Sequence, residues 1–169
     1  MTANSATLAE KVRVLGNYGA RVKYHHEVQG VNSRLDPLQA AVLRVKLQYL
    51  DAWNARRRQV AARYLEAFRN TTLVLPAVPD WAEPVWHLFV VRTANREYLQ
   101  DSLSKAGVNA QIHYPVAPFQ QPAYQDNGQV FSAQPIAAQL AQEVLSLPIG
   151  PHLQPVELEQ VIAAVREYA

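Results

Sequence analysis

The chain has 169 residues, of which 49% are apolar and 18% charged, a balance that suits one globular domain with a real core rather than a disordered chain. The formal net charge is +2, too small to require an anionic partner. There is no cysteine, which excludes disulfides, thiolate metal sites and cysteine nucleophiles together. The apolar runs are short, so no segment reads as a membrane span. Met1 to Glu10 has neither a basic start nor an apolar stretch and does not read as a signal peptide. With no cysteine, the expected compartment is a reducing cytoplasm.

In chain order, Leu8, Val12 and Leu15 fall at helical spacing over Ala6 to Leu15, with Gly16 as a stop. Asn17 to Leu35 reads as a long ordered loop. Asp36 is a helix cap, Pro37 suits the first helical position, and Gln39 completes a capping box. Leu38, Val42, Val45, Tyr49, Trp53, Val60, Tyr64 and Phe68 then recur at helical intervals, with no Gly or Pro from Leu38 to Asn70. The reading is one helix, roughly 45–50 Å long at 1.5 Å per residue. That outruns a small domain, so the helix is expected to connect one domain to something else.

Pro76, Pro79 and Pro84 break the next segment into turns, and Val85–Arg92 (V-W-H-L-F-V-V-R) reads as a buried strand with His87 a core histidine. Asn95 is expected to cap a helix ending near Gly107. Val108 to Tyr114 alternates as a second strand, and Pro115 to Asn127 is irregular. A helix over Ala133 to Leu145, an edge strand over Leu145 to Pro148 and a closing helix over Pro155 to Tyr168 complete the chain. The expected fold is α+β: a long N-terminal helix leading into a small sheet covered by helices.

The residue types leave the chemistry open. Tyr24-His25-His26-Glu27 is conspicuous, but adjacent histidines diverge and make poor joint metal ligands. No serine sits on a nucleophile elbow. Arg56, Arg57 and Arg58, with Arg44, Arg63 and Arg69, make the long helix basic on its outer side. Such faces are more often solvated than bound to phosphates, because the aromatic residues lie on the apolar stripe and not between the arginines. Asn32, Ser33 and Asp36 fit equally as turn and cap residues. His113-Tyr114 leaves a strand end, where a ligand pocket and a half-buried terminus are both open readings.

Four stretches together resemble the DegT/StrS family of sugar aminotransferases, in the aspartate aminotransferase superfamily. They are L-A-E-K-V-R-V-L-G-N-Y-G (Leu8–Gly19), K-Y-H-H-E-V-Q-G-V-N-S-R-L-D-P-L-Q-A-A (Lys23–Ala41), V-W-H-L-F-V-V-R, and I-H-Y-P followed by Q-P-A-Y (Ile112–Tyr124). L-S-L-P at Leu145–Pro148 is also typical, and the second stretch is the specific one, closest to enzymes that aminate C3 of a dTDP-linked keto-deoxy sugar.

The resemblance implies a pyridoxal 5'-phosphate enzyme that moves an amino group from an amino acid to a nucleotide-linked keto sugar, working as a homodimer. It implies residues 1–35 as the edge of the large domain with an interface loop, 36–70 as the connecting helix, and 71–169 as the small C-terminal domain of a fold-type I aminotransferase. It places Asn32 on the cofactor phosphate of the partner subunit. It makes Tyr24, His25, His26 and Arg34 contacts to the partner's sugar nucleotide, and sets His113 and Tyr114 where the small domain closes over substrate. Val31 stands where relatives often carry an aromatic residue.

None of the four lysines, Lys11, Lys23, Lys46 and Lys105, matches the family's Schiff-base lysine, so this chain alone is expected to hold no catalytic residue and to be inactive. Two other classes stay open: a non-catalytic interaction or regulatory module on the same fold and, less favoured, a basic nucleic-acid-binding domain.

Overall fold

The computed structural model describes residues 3–124 and 134–169. The chain divides into two compact units, Met1–Tyr49 and Leu50–Ala169.

The first unit opens with α1 (Ala6–Gly16), capped by Ser5, whose hydroxyl accepts from the Leu8 amide at 3.3 Å. The segment that the sequence reads as a loop contains a small antiparallel hairpin, β1 (Ala20–Val22) with β2 (His25–His26). It escapes the sequence reading because its strands are two and three residues long, and their stability comes from backbone crossings. Val31 N–H donates to Leu15 O at 2.8 Å, Tyr18 N–H to Val31 O at 3.0 Å, Ser33 N–H to Gly16 O at 2.9 Å, and Glu27 N–H to Gly19 O at 2.8 Å. Glycine permits this approach. A Cβ on Gly19, where φ is +75°, would lie 1.7 Å from Val28 O, and one on Gly30 would lie 2.1 Å from Gly19 N.

Asp36 then caps α2 (Pro37–Leu47), its Oδ1 accepting from Leu38 N–H at 2.8 Å. The capping box expected of Gln39 does not form, and the cap is Asp36 by itself. No residue of α2 is buried within the unit.

The single long helix of the sequence reading is two helices. After α2, Gln48 N–H reaches Val45 O at 3.3 Å and Tyr49 N–H reaches Lys46 O at 3.0 Å, three-residue spacings that tighten the turn and end the α-helical ladder. α3 (Leu50–Ala67) then begins the second unit.

There, β3 (Phe89–Arg92) pairs antiparallel with β4 (Val144–Leu147), in the register Phe89↔Leu147 to Arg92↔Val144. The strand expected from Val85 starts late because Trp86 has φ +53°, outside the extended region. His87 therefore lies outside the strand and is exposed, not a core histidine. Val108–Tyr114 does not form a full second strand. Only Gln111 pairs, in a bridge to Ser146 on the free edge of β4, while Val74 bridges Arg92 on the free edge of β3.

α4 (Arg96–Lys105) follows Asn95, whose side chain makes no cap bond, so the expected Asn cap is absent. Thr93 Oγ1 accepts from Asn95 N–H at 3.2 Å, just before the helix. The predicted stop at Gly107 is present: with φ +78° there, Val108 N–H reaches back to Leu103 O at 2.8 Å and buries both apolar side chains. Two short 3₁₀ turns, Pro118–Gln120 and Pro122–Tyr124, punctuate the irregular stretch, whose last residues lie outside the described ones, as does the first residue of the helix expected from Ala133. α5 (Pro135–Glu143) and α6 (Pro155–Tyr168) complete the unit. α6 starts with a reciprocal cap between Gln154 and Glu157.

The core is Tyr64 of α3 and Phe68 just after it, Phe89 and Val91 of β3, Leu99 and Leu103 of α4, Leu145 of β4 and Val165 of α6. Tyr64 stacks on Phe68 with ring centres 5.3 Å apart and tilts against Phe89 at 5.0 Å. Phe89 is fully buried, so truncating it to alanine would cost on the order of 3–5 kcal/mol. The architecture is the expected mixture of helices with small antiparallel sheets. Among the described residues no helix is long and apolar enough to cross a membrane.

Candidate functional sites

The residues singled out from the sequence fall into two groups, one in each unit. In the first unit the β1–β2 turn puts Tyr24 at φ +72° with 80% of its surface exposed, and the Lys23 ammonium sits 4.9 Å from its ring centre. His25 and His26 are both exposed on β2. His26 Nδ1 lies 2.9 Å from Tyr18 O. A carbonyl only accepts, so Nδ1 carries the proton and Nε2 of the neutral ring is left as an acceptor.

Asn32 and Arg34 are brought together: Arg34 Nε donates to Asn32 Oδ1 at 3.0 Å, and Arg34 Nη1 to Asn17 Oδ1 at 3.5 Å. Asn17 is itself oriented by its amide donating to Ala20 O at 3.1 Å. The Arg34 guanidinium stands 5.6 Å from the Tyr18 ring centre. With its oxygen occupied by Arg34, Asn32 has its amide N–H groups left to donate. Nearby, Arg21 pairs with both Glu10 and Glu27, and Arg13 pairs with Glu10. A concavity of about 400 Å³ lies against Glu10, Arg13, Asn17, Arg21 and Arg34. Asn17 and Tyr18 organise this group and were missed from the sequence. The signals for them were the Asn17-Tyr18-Gly19 turn composition and their place in the Leu8–Gly19 stretch.

In the second unit His113 lines a cleft of about 230 Å³ with Gln111, Ser146, Pro148 and His152. His113 Nδ1 is 2.9 Å from Ser146 Oγ. Tyr114 is 73% exposed, with its ring edge-on to His113 at 5.6 Å. One wall of the cleft is tied to α3, because the buried Tyr64 hydroxyl donates to Pro148 O at 2.7 Å; burial pushes that phenol well above its ordinary range. Ser146 was also missed from the sequence, since a serine among apolar strand residues carries no signal by itself. Lys11, Lys23, Lys46 and Lys105 are all exposed.

The profile of the DegT/DnrJ/EryC1/StrS aminotransferase family matches residues 1–166. The chain belongs to that family. Among relatives of this DegT/DnrJ/EryC1/StrS chain, the erythromycin biosynthesis sensory transduction protein EryC1 of Saccharopolyspora erythraea is 51% identical over 160 residues, 94% of this chain and 44% of the relative. The dTDP-3-amino-3,6-dideoxy-alpha-D-galactopyranose transaminase of Aneurinibacillus thermoaerophilus is 48% identical over 168 residues, 99% of this chain and 46% of the relative. Among solved structures, DesV of S. venezuelae in complex with a ketimine intermediate superposes with a TM-score of 0.95 at 46% identity, over 99% of this chain and 45% of DesV. The chain thus spans less than half the length of the relatives it matches.

The family is pyridoxal-phosphate-dependent. The donor set suits the phosphate end of that cofactor: an amide N–H pair on Asn32 beside a guanidinium on Arg34 offers hydrogen bonds and positive charge to an anion.

Proposed function

We propose that this chain supplies the interface loop and small domain of a cytoplasmic transaminase that moves an amino group from an amino acid to a nucleotide-linked keto sugar. The reading rests above all on 48% identity, over nearly the whole chain, to a transaminase named for a dTDP-linked 3-amino sugar. In this reading residues 1–35 are the large-domain edge and interface loop, 36–70 the connector and 71–169 the small domain.

Pyridoxal phosphate, when bound, supplies the electron-withdrawing ring that lets an amino group and a proton be exchanged with substrate. The chain's own residues do the holding. Asn32 donates its amide to the cofactor phosphate of a second copy in a homodimer, with Arg34 fixing the orientation of that amide through its oxygen. Exposed Tyr24, His25, His26 and Arg34 meet the partner's sugar nucleotide, the rings by stacking and the guanidinium through phosphate oxygens. His113 and Tyr114 face the sugar from the small domain. With every lysine exposed and none at the family's catalytic position, the isolated chain transfers no amino group.

The test places this chain in the corresponding segment of the Aneurinibacillus thermoaerophilus transaminase. The hybrid is expected to aminate a dTDP-linked 3-keto-6-deoxy sugar, scored by mass spectrometry, and Asn32→Ala to weaken cofactor retention about tenfold or more, the scale of a lost hydrogen bond to a charged group. A folded, cofactor-loaded hybrid that aminates no keto sugar nucleotide would overturn the proposal. It would favour a regulatory module, a role suggested by the name of the 51% identical relative, a sensory transduction protein. For the isolated chain, added pyridoxal phosphate is expected to leave no stoichiometric absorbance band once the excess is removed. A band abolished by replacing one lysine with alanine would show a catalytic amine after all.

A further inference from the structure

Ser146 is one of two buried polar residues among the described ones, at 4% exposure, and it grips the Gln111–His113 segment twice. Its backbone exchanges both hydrogen bonds with Gln111, Ser146 N–H to Gln111 O at 2.7 Å and Gln111 N–H to Ser146 O at 3.0 Å. Its hydroxyl lies 2.9 Å from His113 Nδ1. Among the described residues that ring nitrogen is the single polar partner of Ser146 Oγ.

A buried hydroxyl proton left without an acceptor costs the full desolvation of the group. The hydroxyl therefore donates to Nδ1, which makes Nδ1 the acceptor and leaves the proton of the neutral ring on Nε2. The opposite tautomer would turn Nδ1 into a donor and leave the serine proton only the cleft to turn to.

We propose that Ser146 is a positioning residue that holds His113 as an Nε2–H donor on the cleft wall, aimed at an oxygen acceptor of the bound ligand. On the reading given above, that acceptor is a hydroxyl or carbonyl oxygen of the sugar. The cleft suits such a group, since Gln111, Asn109 and His152 supply further polar edges beside the apolar wall of Leu88, Leu147 and Ile149. The role of Ser146 rests on the transaminase reading only for the identity of the ligand, because the tautomer is a property of the chain itself.

The first measurement uses the ¹⁵N-labelled chain and long-range proton–nitrogen correlation of the imidazoles at pH 8, with His113→Gln identifying the His113 signals. His113 is expected to show an unprotonated Nδ1 and a protonated Nε2. A protonated Nδ1 in the unmodified chain overturns the proposal outright, whether or not any variant folds. Ser146→Ala is expected to move the signals toward the mixture of a free histidine, and Ser146→Thr, which keeps the hydroxyl, to restore them. An unchanged pattern in Ser146→Ala also overturns it.

The second measurement uses the hybrid transaminase. Ser146→Ala should raise KM for the sugar nucleotide about three- to tenfold, the scale of one neutral hydrogen bond, with kcat little changed and Ser146→Thr recovering KM. An unchanged KM, in a hybrid whose unmodified form turns over, removes Ser146 from the binding of the sugar. A hybrid that never turns over, with the tautomer as expected, counts against the transaminase reading and leaves the assignment of Ser146 to His113 supported by the first measurement.

Discussion

Glu143 shows how a single carboxylate in this chain comes to depend on distant residues. Its Oε2 accepts from Arg92 Nε at 3.1 Å and Nη2 at 2.7 Å, and its Oε1 from Gln139 Nε2 at 2.6 Å. The Gln139 bond first, and then Arg92, hold the carboxyl below its ordinary value of 4.5. A carboxyl lowered in the folded state binds its proton more readily when unfolded, so its contribution is present above the ordinary carboxyl range and is lost as pH falls through the folded-state value. Urea denaturation midpoints, compared between about pH 7 and pH 3, are therefore expected to fall less in Glu143→Gln than in the unmodified chain. Parallel losses in the two proteins would refute the assignment. Arg92 was legible as a strand-end residue; its partner was not, because the β3–β4 register that places Glu143 beside it joins residues 51 apart in sequence.

At the scale of an element, α2 is the informative case. It has 11 residues, none buried within its unit. Isolated helices of that length are marginal in water, so the cap carries a large share of what order it has. Asp36→Ala is expected to cost about 1 kcal/mol and to speed amide exchange over Leu38 to Leu43 about fivefold, while amides of Val60 to Phe68 keep their protection. Equal slowing or speeding in both helices would argue that α2 is ordered by something other than its cap.

The elements that were legible follow from local rules. Apolar residues at helical spacing gave α1, α4 and α6, Asp36-Pro37 gave the start of α2, and Gly107 gave the stop of α4. The break at Gln48–Tyr49 was not legible because no Gly or Pro marks it. The reciprocal cap at Gln154 and Glu157 was passed over because glutamine stands in the place where serine or threonine usually signals such a box. The expected Asn95 side-chain cap does not form, although Thr93 Oγ1 holds the Asn95 amide just before the helix.

For the whole molecule, the distribution of buried apolar side chains decides the unfolding behaviour. Among the described residues only Val14 and Ala20 are buried apolar residues of the first unit, whereas the second holds the entire core cluster. Two units with such unequal cores should not melt together. Calorimetry is expected to show a main transition belonging to the second unit and a weaker loss of the first unit at lower temperature, with Phe89→Ala shifting the main transition alone. A single transition that Phe89→Ala lowers as one would show that the two units are energetically coupled. The fold class and the family were legible because apolar periodicity and motif order run along the chain. The site geometry was not, because it depends on pairs such as Asn17 with Arg34 and His113 with Ser146 that only the folded chain assembles.

The glycine crossing between α1 and the hairpin has a consequence for mutational scanning. At Gly19 and Gly30 any side chain collides with backbone, so in a saturation library those columns would be as intolerant as any ligand contact although they bear no functional group. Tyr24 and Asn32, which hang from the same crossing into water, would read as permissive wherever protein abundance is what selection sees. Ranking positions by intolerance would then nominate the scaffold and pass over the candidate contacts, unless each variant's abundance and its turnover were scored separately.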